Sequence, residues 1–243
     1  MKRSIILPAI LLIFQASAYA QKTVLLNAMK DELTRSMTQL KLDTDAGPYY
    51  LSYQVDDAFM IRIISESGAT MANMENRARS VRIDLRVGSY AQDNSNFLSS
   101  TNIGSLMSSA IGARLPLDDD YYGLRRGLWM ATDRAYKTAL ETLSKKKGYL
   151  QNTIQTEVLP DFTKGSATSS LRTDNVLAID KERWNQQVDQ IAKLLSGQPE
   201  IQRSRAILNV QIVNSYYVNS EGAEVVEPVA TARLDISLST QAE

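Results

Sequence analysis

The stretch VRIDLRV, residues 81–87, decides how this chain is read. Val81, Ile83, Leu85 and Val87 alternate with Arg82, Asp84 and Arg86. A two-residue period places the apolar set on one face of a strand and the charged set on the other. A strand with one dry and one wet face belongs to an antiparallel sheet covered on one side. Upstream, Tyr49, Leu51, Tyr53 and Val55 alternate in the same way, Asp56-Asp57 reads as a tight turn, and Phe59, Ile61 and Ile63 read as a second strand. Ser67-Gly68 is a further turn, followed by a short strand over 69–74. Together these predict an antiparallel meander.

Helical periods flank the meander. Leu25, Met29, Leu33, Met37 and Leu40 recur at helical spacing, so residues 22–41 read as a helix that ends before Gly47-Pro48. Downstream, Asp118-Asp119-Asp120 opens a long helix, since acidic groups suit the positive end of the helix dipole. Leu124, Leu128, Ala131, Ala135, Ala139 and Leu143 mark its buried stripe, and Lys145–Gly148 is expected to close it. Residues 180–195 form a third helix with Asp180 as N-cap and Trp184, Val188, Ile191 and Leu195 on one face.

Between the meander and the long helix, residues 89–117 are rich in Ser, Asn and Gly and read as a long excursion with a short helix near 106–111. Residues 163–175 read as an exposed linker. The C-terminal part returns to strands: Leu208, Val210 and Ile212 alternate, a hairpin turns at Asn219–Gly222, and Ala230, Ala232, Leu234, Ile236 and Leu238 alternate up to the last residues. The fold class expected is α+β, an antiparallel sheet packed with a long helix and two further helices. The final strand has no closing turn, so the chain reads as if more belonged after it.

Composition excludes several chemistries. The 243 residues contain no cysteine and no histidine. Disulfides, Cys/His zinc sites and Ser-His-Asp or Cys-His machinery therefore cannot be built from this chain. Lys+Arg and Asp+Glu are both 27, a balance that argues against a nucleic-acid binder. Lys2-Arg3, an apolar run from Ile5 to Phe14 and the small residues Ala18 and Ala20 make the three-part pattern of a secretory signal peptide. Cleavage is expected before Gln21, giving a periplasmic or secreted product with no stable membrane span.

Several local motifs have plain structural readings. Asp43-x-Asp45 opens like a calcium loop, but Gly47 and Gln54 stand where ligands are needed, so a turn before Pro48 explains it better. Ser144-Lys-Lys-Lys147 fits S-x-x-K without the partner motifs of that class, and a solvated helix end accounts for it. The Asp118–Asp120 run reads as helix capping rather than a metal site. Tyr216-Tyr217 reads as sheet packing. No phosphate loop, dinucleotide fingerprint or G-x-S-x-G elbow is present. No catalytic or metal-binding residue is assigned. The candidate substrate contacts are the sheet edge and Asp93, Asn94 and Asn96, a polar loop beside a regular strand.

Six segments carry a resemblance: MKDELTRSM (29–37), PYYLSYQVDDA (48–58), RVGSYAQDNSNF (86–97), LPLDDDYYGLRRGLWMATDRAYKTALETLSKKK (115–147), LPDF (159–162) and YYVNSEG (216–222). In this order they resemble the N-terminal region of exported TldD/PmbA-type proteins, a family of zinc-dependent peptidases. The resemblance implies residues 21–200 as an N-terminal α/β domain and 201–243 as the start of a second, mostly β domain. It also implies a homodimer or a heterodimer with a TldD/PmbA-like subunit, enclosing a chamber that receives unfolded peptides. Zinc in that family sits on an H-E-x-x-x-H helix, and a chain without histidine has no such motif to carry over. Zinc is therefore expected only in a full-length relative. The function implied is a non-catalytic, substrate-guiding and subunit-contacting scaffold domain. A free-standing periplasmic peptide-binding or assembly module and the inactive partner of a heteromeric peptidase are the alternatives.

Overall fold

The computed structural model describes residues 24–42, 47–97, 112–152, 159–172, 179–196 and 198–240. The expected signal peptide, residues 1–20, and the short helix expected near 106–111 lie outside the described residues. Among the described residues, three helices and six strands follow in order: α1 (24–39), β1 (Pro48–Glu66), β2 (Ala69–Val87), β3 (Ala113–Arg114), α2 (Tyr121–Gln151), β4 (Ser169–Leu171), α3 (Lys181–Leu195), β5 (Arg203–Asn219) and β6 (Glu224–Ser239). The strands pair in the order β3-β2-β1-β5-β6-β4. The α+β class with a mostly antiparallel sheet is as the sequence predicts.

Two compact units divide the chain. The first holds residues up to Val55, Arg79–Ser170 and Tyr216–Val225; the second holds Asp56–Ala78, Leu171–Ser215 and Val226 onward. β1, β2, β5 and β6 each contribute residues to both.

In the first unit, α1 and α2 supply Leu25, Ala28, Met29, Leu124, Leu128 and Tyr136, and the strands supply Leu51, Tyr53, Val55, Val81 and Val87, all nearly solvent-free. Each buried Val, Leu or Met side chain among them contributes roughly 1.5–3 kcal/mol. The long helix starts where its acidic run predicts: the Asp120 carboxylate accepts the Gly123 N–H at 2.7 Å, and Arg79 holds Asp119 at 2.8 Å. Its buried stripe is Leu124, Leu128, Thr132, Tyr136, Ala139, Leu143 and Lys146. Ala131 and Ala135 are only half-buried. Thr132 takes an inward place because its hydroxyl is used there, lying 2.7 Å from that of the buried Tyr53 and donating to the Leu128 carbonyl. The lysine run does not end the helix. It continues to Gln151, because Lys146 turns inward on the stripe three residues after Leu143.

In the second unit, Val188 and Ala192 of α3 pack on Ile61 and Ile63 of β1 and on Ala206, Leu208 and Val210 of β5. Asp180 caps α3 by accepting the Arg183 N–H at 3.1 Å, as its sequence predicts. Trp184 keeps more than a third of its surface exposed, and Ala192 takes the buried place next to Val188.

One of two expected turns is absent. Asp56-Asp57 is not a turn: β1 runs through it, because Ser215 donates to Asp56 at 2.5 Å and Arg77 pairs with Asp57 at 2.8 Å, so both carboxylates are satisfied within an extended strand. For the same reason the separate short strands expected at 59–63 and 69–74 are parts of β1 and β2. The Ser67-Gly68 turn is present, with positive φ at both residues, and a Cβ on Gly68 would lie 2.7 Å from the Lys193 Cβ. Glycine is thus required there on two grounds.

Candidate functional site

The polar loop singled out in the sequence closes on itself directly after β2. Ser89 and Gln92 exchange backbone hydrogen bonds at 2.9 and 3.1 Å, which forms a tight hairpin. Gly88 permits it with φ +106°. Asn94 then acts as a substitute strand: its Oδ1 accepts the Val87 N–H at 2.8 Å and its Nδ2 donates to the Leu85 carbonyl at 3.1 Å. Asn96 is exposed and donates to the Asp161 carbonyl at 3.0 Å.

Asp93 is wholly buried. Its carboxylate accepts from the Tyr49 hydroxyl at 2.5 Å, from the Ser95 N–H at 2.7 Å and hydroxyl at 2.6 Å, and from Arg86 at 3.3 Å. Burial pushes the Asp93 carboxyl up, but the Ser95 and Tyr49 hydrogen bonds and the Arg86 charge outweigh it, so the net shift is downward. Burial, then the Asp93 carboxylate, pushes the Tyr49 phenol well above its ordinary value. Both groups therefore hold fixed protonation states near neutrality, which suits support rather than proton transfer.

Sequence reasoning missed the partners that complete this knot. Lys146 reaches in from α2 to Asp161 at 2.5 Å and to the Ser95 carbonyl at 2.7 Å, and Asp161 also accepts the Asp93 N–H at 2.8 Å. Arg86 was expected on the wet face of β2. Instead its guanidinium lies 3.7 Å from the Phe162 ring centroid. Phe162 stacks on Tyr90 and meets Tyr50 edge-on. The Tyr50 hydroxyl lies 3.0 Å from that of Tyr217, and burial with this contact pushes Tyr50 up to about 12. One sequence signal pointed here: Lys146 follows Ala139 and Leu143 at helical spacing on the buried stripe.

The second candidate, the sheet edge, is of a different kind. On the outer side of β2, β3 pairs only at Ser80 and Val81. Among the described residues no strand lies beside Ala69–Ala78 on that side. Met71 and Met74 in this stretch are 64% and 48% exposed. On β6, β4 reaches only the first residues, and Leu234, Ile236 and Leu238 beyond it stand in water.

Among the described residues no group of three or more acidic side chains is gathered as a metal site, and no helix is long and apolar enough to cross a membrane. Among the described residues, an open cleft of about 180 Å³ is lined by Arg203, Arg205, Ser237, Leu238 and Ser239, and another by Gln92, Lys147, Leu150 and Gln151.

No family model and no curated protein matches the chain. Among solved structures it is similar to a protein named as a modulator of DNA gyrase from Bacteroides thetaiotaomicron, at 10% identity over 91% of this chain and 41% of that one, with a TM-score of 0.47. It is also similar to TldE from Thermococcus kodakarensis, at 8% identity over 88% of this chain and 40% of that one, TM-score 0.48. A third, named as a modulator of a DNA gyrase from Thermotoga maritima, gives 7% identity over 76% of this chain and 34% of that one, TM-score 0.40. The chain thus spans about two fifths of the length of the first two proteins.

Proposed function

We propose that this chain is a non-catalytic scaffold domain that guides extended peptides and contacts a second subunit, in an exported peptidase of TldD/PmbA type. The observation that carries the reading is the open edge of β2 over Ala69–Ala78. A strand edge with no strand beside it is a template for an added strand. Met71 and Met74 beside it offer flexible, polarizable contacts that adapt to different side chains. Such an edge fits a substrate recognised as unfolded backbone rather than by sequence. The resemblance of the six sequence segments supports the family setting. The lack of histidine and cysteine supports the non-catalytic role, since the chain itself has no imidazole or thiolate with which to hold zinc. Of Asp93, Asn94 and Asn96, only Asn96 is exposed, so a direct peptide contact in that loop falls to it, and the other two hold the loop in shape.

The test is binding of fluorescently labelled, unfolded casein to the full chain, followed by anisotropy with and without added zinc. The reading expects saturable binding, no hydrolysis in either condition, and at least about tenfold weaker binding for M71K/M74K, since charge at a strand edge deters pairing. Zinc-dependent hydrolysis by the chain alone, or binding unchanged in that variant, contradicts it.

A further inference from the structure

The open part of β6 has a pattern that its own copy completes. Gln202 N–H donates to the Ser239 carbonyl at 3.0 Å and Asn219 N–H to the Ala223 carbonyl at 3.1 Å, so odd-numbered residues face β5 at both ends of β6. Even-numbered residues face away: Glu224 N–H donates to the Thr168 carbonyl at 2.8 Å and the Val226 carbonyl accepts from Arg172 N–H at 3.0 Å. The next even residue, Pro228, has no N–H to give, and β4 ends at Leu171. From Ala230 to Leu238 the even residues therefore aim backbone groups outward with no strand beside them among the described residues.

Their side chains form one apolar row: Ala230, Ala232, Leu234, Ile236 and Leu238, the last three 40%, 50% and 49% exposed. On the opposite face Arg233 and Asp235 pair with each other at 2.9 Å, both well exposed. We propose that a second copy of this chain adds to β6, antiparallel, about a two-fold axis at Leu234. The arrangement is self-complementary. Leu234 lies opposite its copy, an outward-facing residue as a hydrogen-bonded pair on the axis requires. Arg233 meets the copy's Asp235, Thr231 meets Ser237, and small residues meet large ones, Ala232 with Ile236 and Ala230 with Leu238. Opposite charges and matched apolar volumes directly across an antiparallel pair both stabilise it. This rests on the subunit-contacting half of the proposed function; the peptide-guiding half concerns β2, so either assignment can fail without the other.

Sedimentation velocity on the full chain, from about 5 to 500 μM, tests the assignment. A concentration-dependent dimer is expected. R233D alone sets acid against acid across both symmetric contacts, and D235R alone sets base against base; each is expected to weaken the dimer at least about tenfold. The double exchange R233D/D235R restores it, and mixing the two single variants gives a mixed dimer. Circular dichroism checks that each variant is folded, and the restored double variant separates loss of pairing from loss of fold. A wild-type chain that stays monomeric throughout, whatever else then covers β6, overturns the assignment. So does a dimer equally tight in R233D.

Discussion

Lys146 Nζ lies 2.5 Å from Asp161 Oδ2, with 7% and 14% of the two side chains exposed. The pair joins the last turns of α2 to the segment that carries Phe162, and through the Ser95 carbonyl it fixes the loop after β2. Replacing Lys146 by Met keeps the apolar stem but leaves a mostly buried carboxylate without its charge partner. The expected loss is about 3 kcal/mol. Urea denaturation measures it, and adding Asp161→Asn to the same chain should recover part of the loss.

Asp93 gives a pH signature. Its folded-state carboxyl titrates below its ordinary value, so its contribution to stability is fully present above the ordinary value of 3.8 and is lost as pH falls through the lower folded-state value. Asp93→Asn should flatten the acid limb of the stability curve below about pH 4 while lowering stability at neutral pH. Denaturant midpoints collected across that range show it. An acid limb unchanged in the variant contradicts the assignment.

Tyr53 gives the opposite limb. Burial, aided by the Glu32 charge and opposed by the Ser36 and Thr132 hydroxyls, pushes its phenol up to about 12. Its contribution is present below the ordinary value of 10.0 and disappears as pH rises through the folded-state value. Tyr53→Phe should cost about 1 kcal/mol at neutral pH, through the lost contact to Thr132, and should make stability less steep in alkali. Ultraviolet titration of tyrosinate alongside denaturation separates the two effects.

Gly88 makes a backbone prediction. At φ +106° an added Cβ would lie 2.5 Å from the Gln92 carbonyl oxygen. Gly88→Ala should cost about 1–3 kcal/mol and open the Ser89–Gln92 hairpin, with faster amide exchange there. Exchange rates unchanged in this loop speak against it.

Much of the fold was legible because period and burial agree. The alternation of 81–87, the cap at Asp120 and the cap at Asp180 each rest on local chemistry that tertiary structure leaves in place. The long strands were broken up at Asp56-Asp57 because two adjacent aspartates signal a turn unless partners on neighbouring strands satisfy them, and Ser215 and Arg77 are distant in sequence. Asp93, Asn94 and Asn96 could be selected as a polar cluster. The depth of Asp93 could not, since it depends on Tyr49, Arg86, Lys146 and Asp161 converging from separate elements. The outward row of β6 was visible as alternation, but which face met the core depends on sheet order, which a single sequence does not specify.

The peptide-guiding role is tested most directly by hydrogen–deuterium exchange of the full chain with and without saturating unfolded casein. The account predicts new protection in the outer stretch of β2, Ala69–Ala78, that is lost in M71K/M74K. Protection that leaves this stretch unchanged and gathers elsewhere would contradict it.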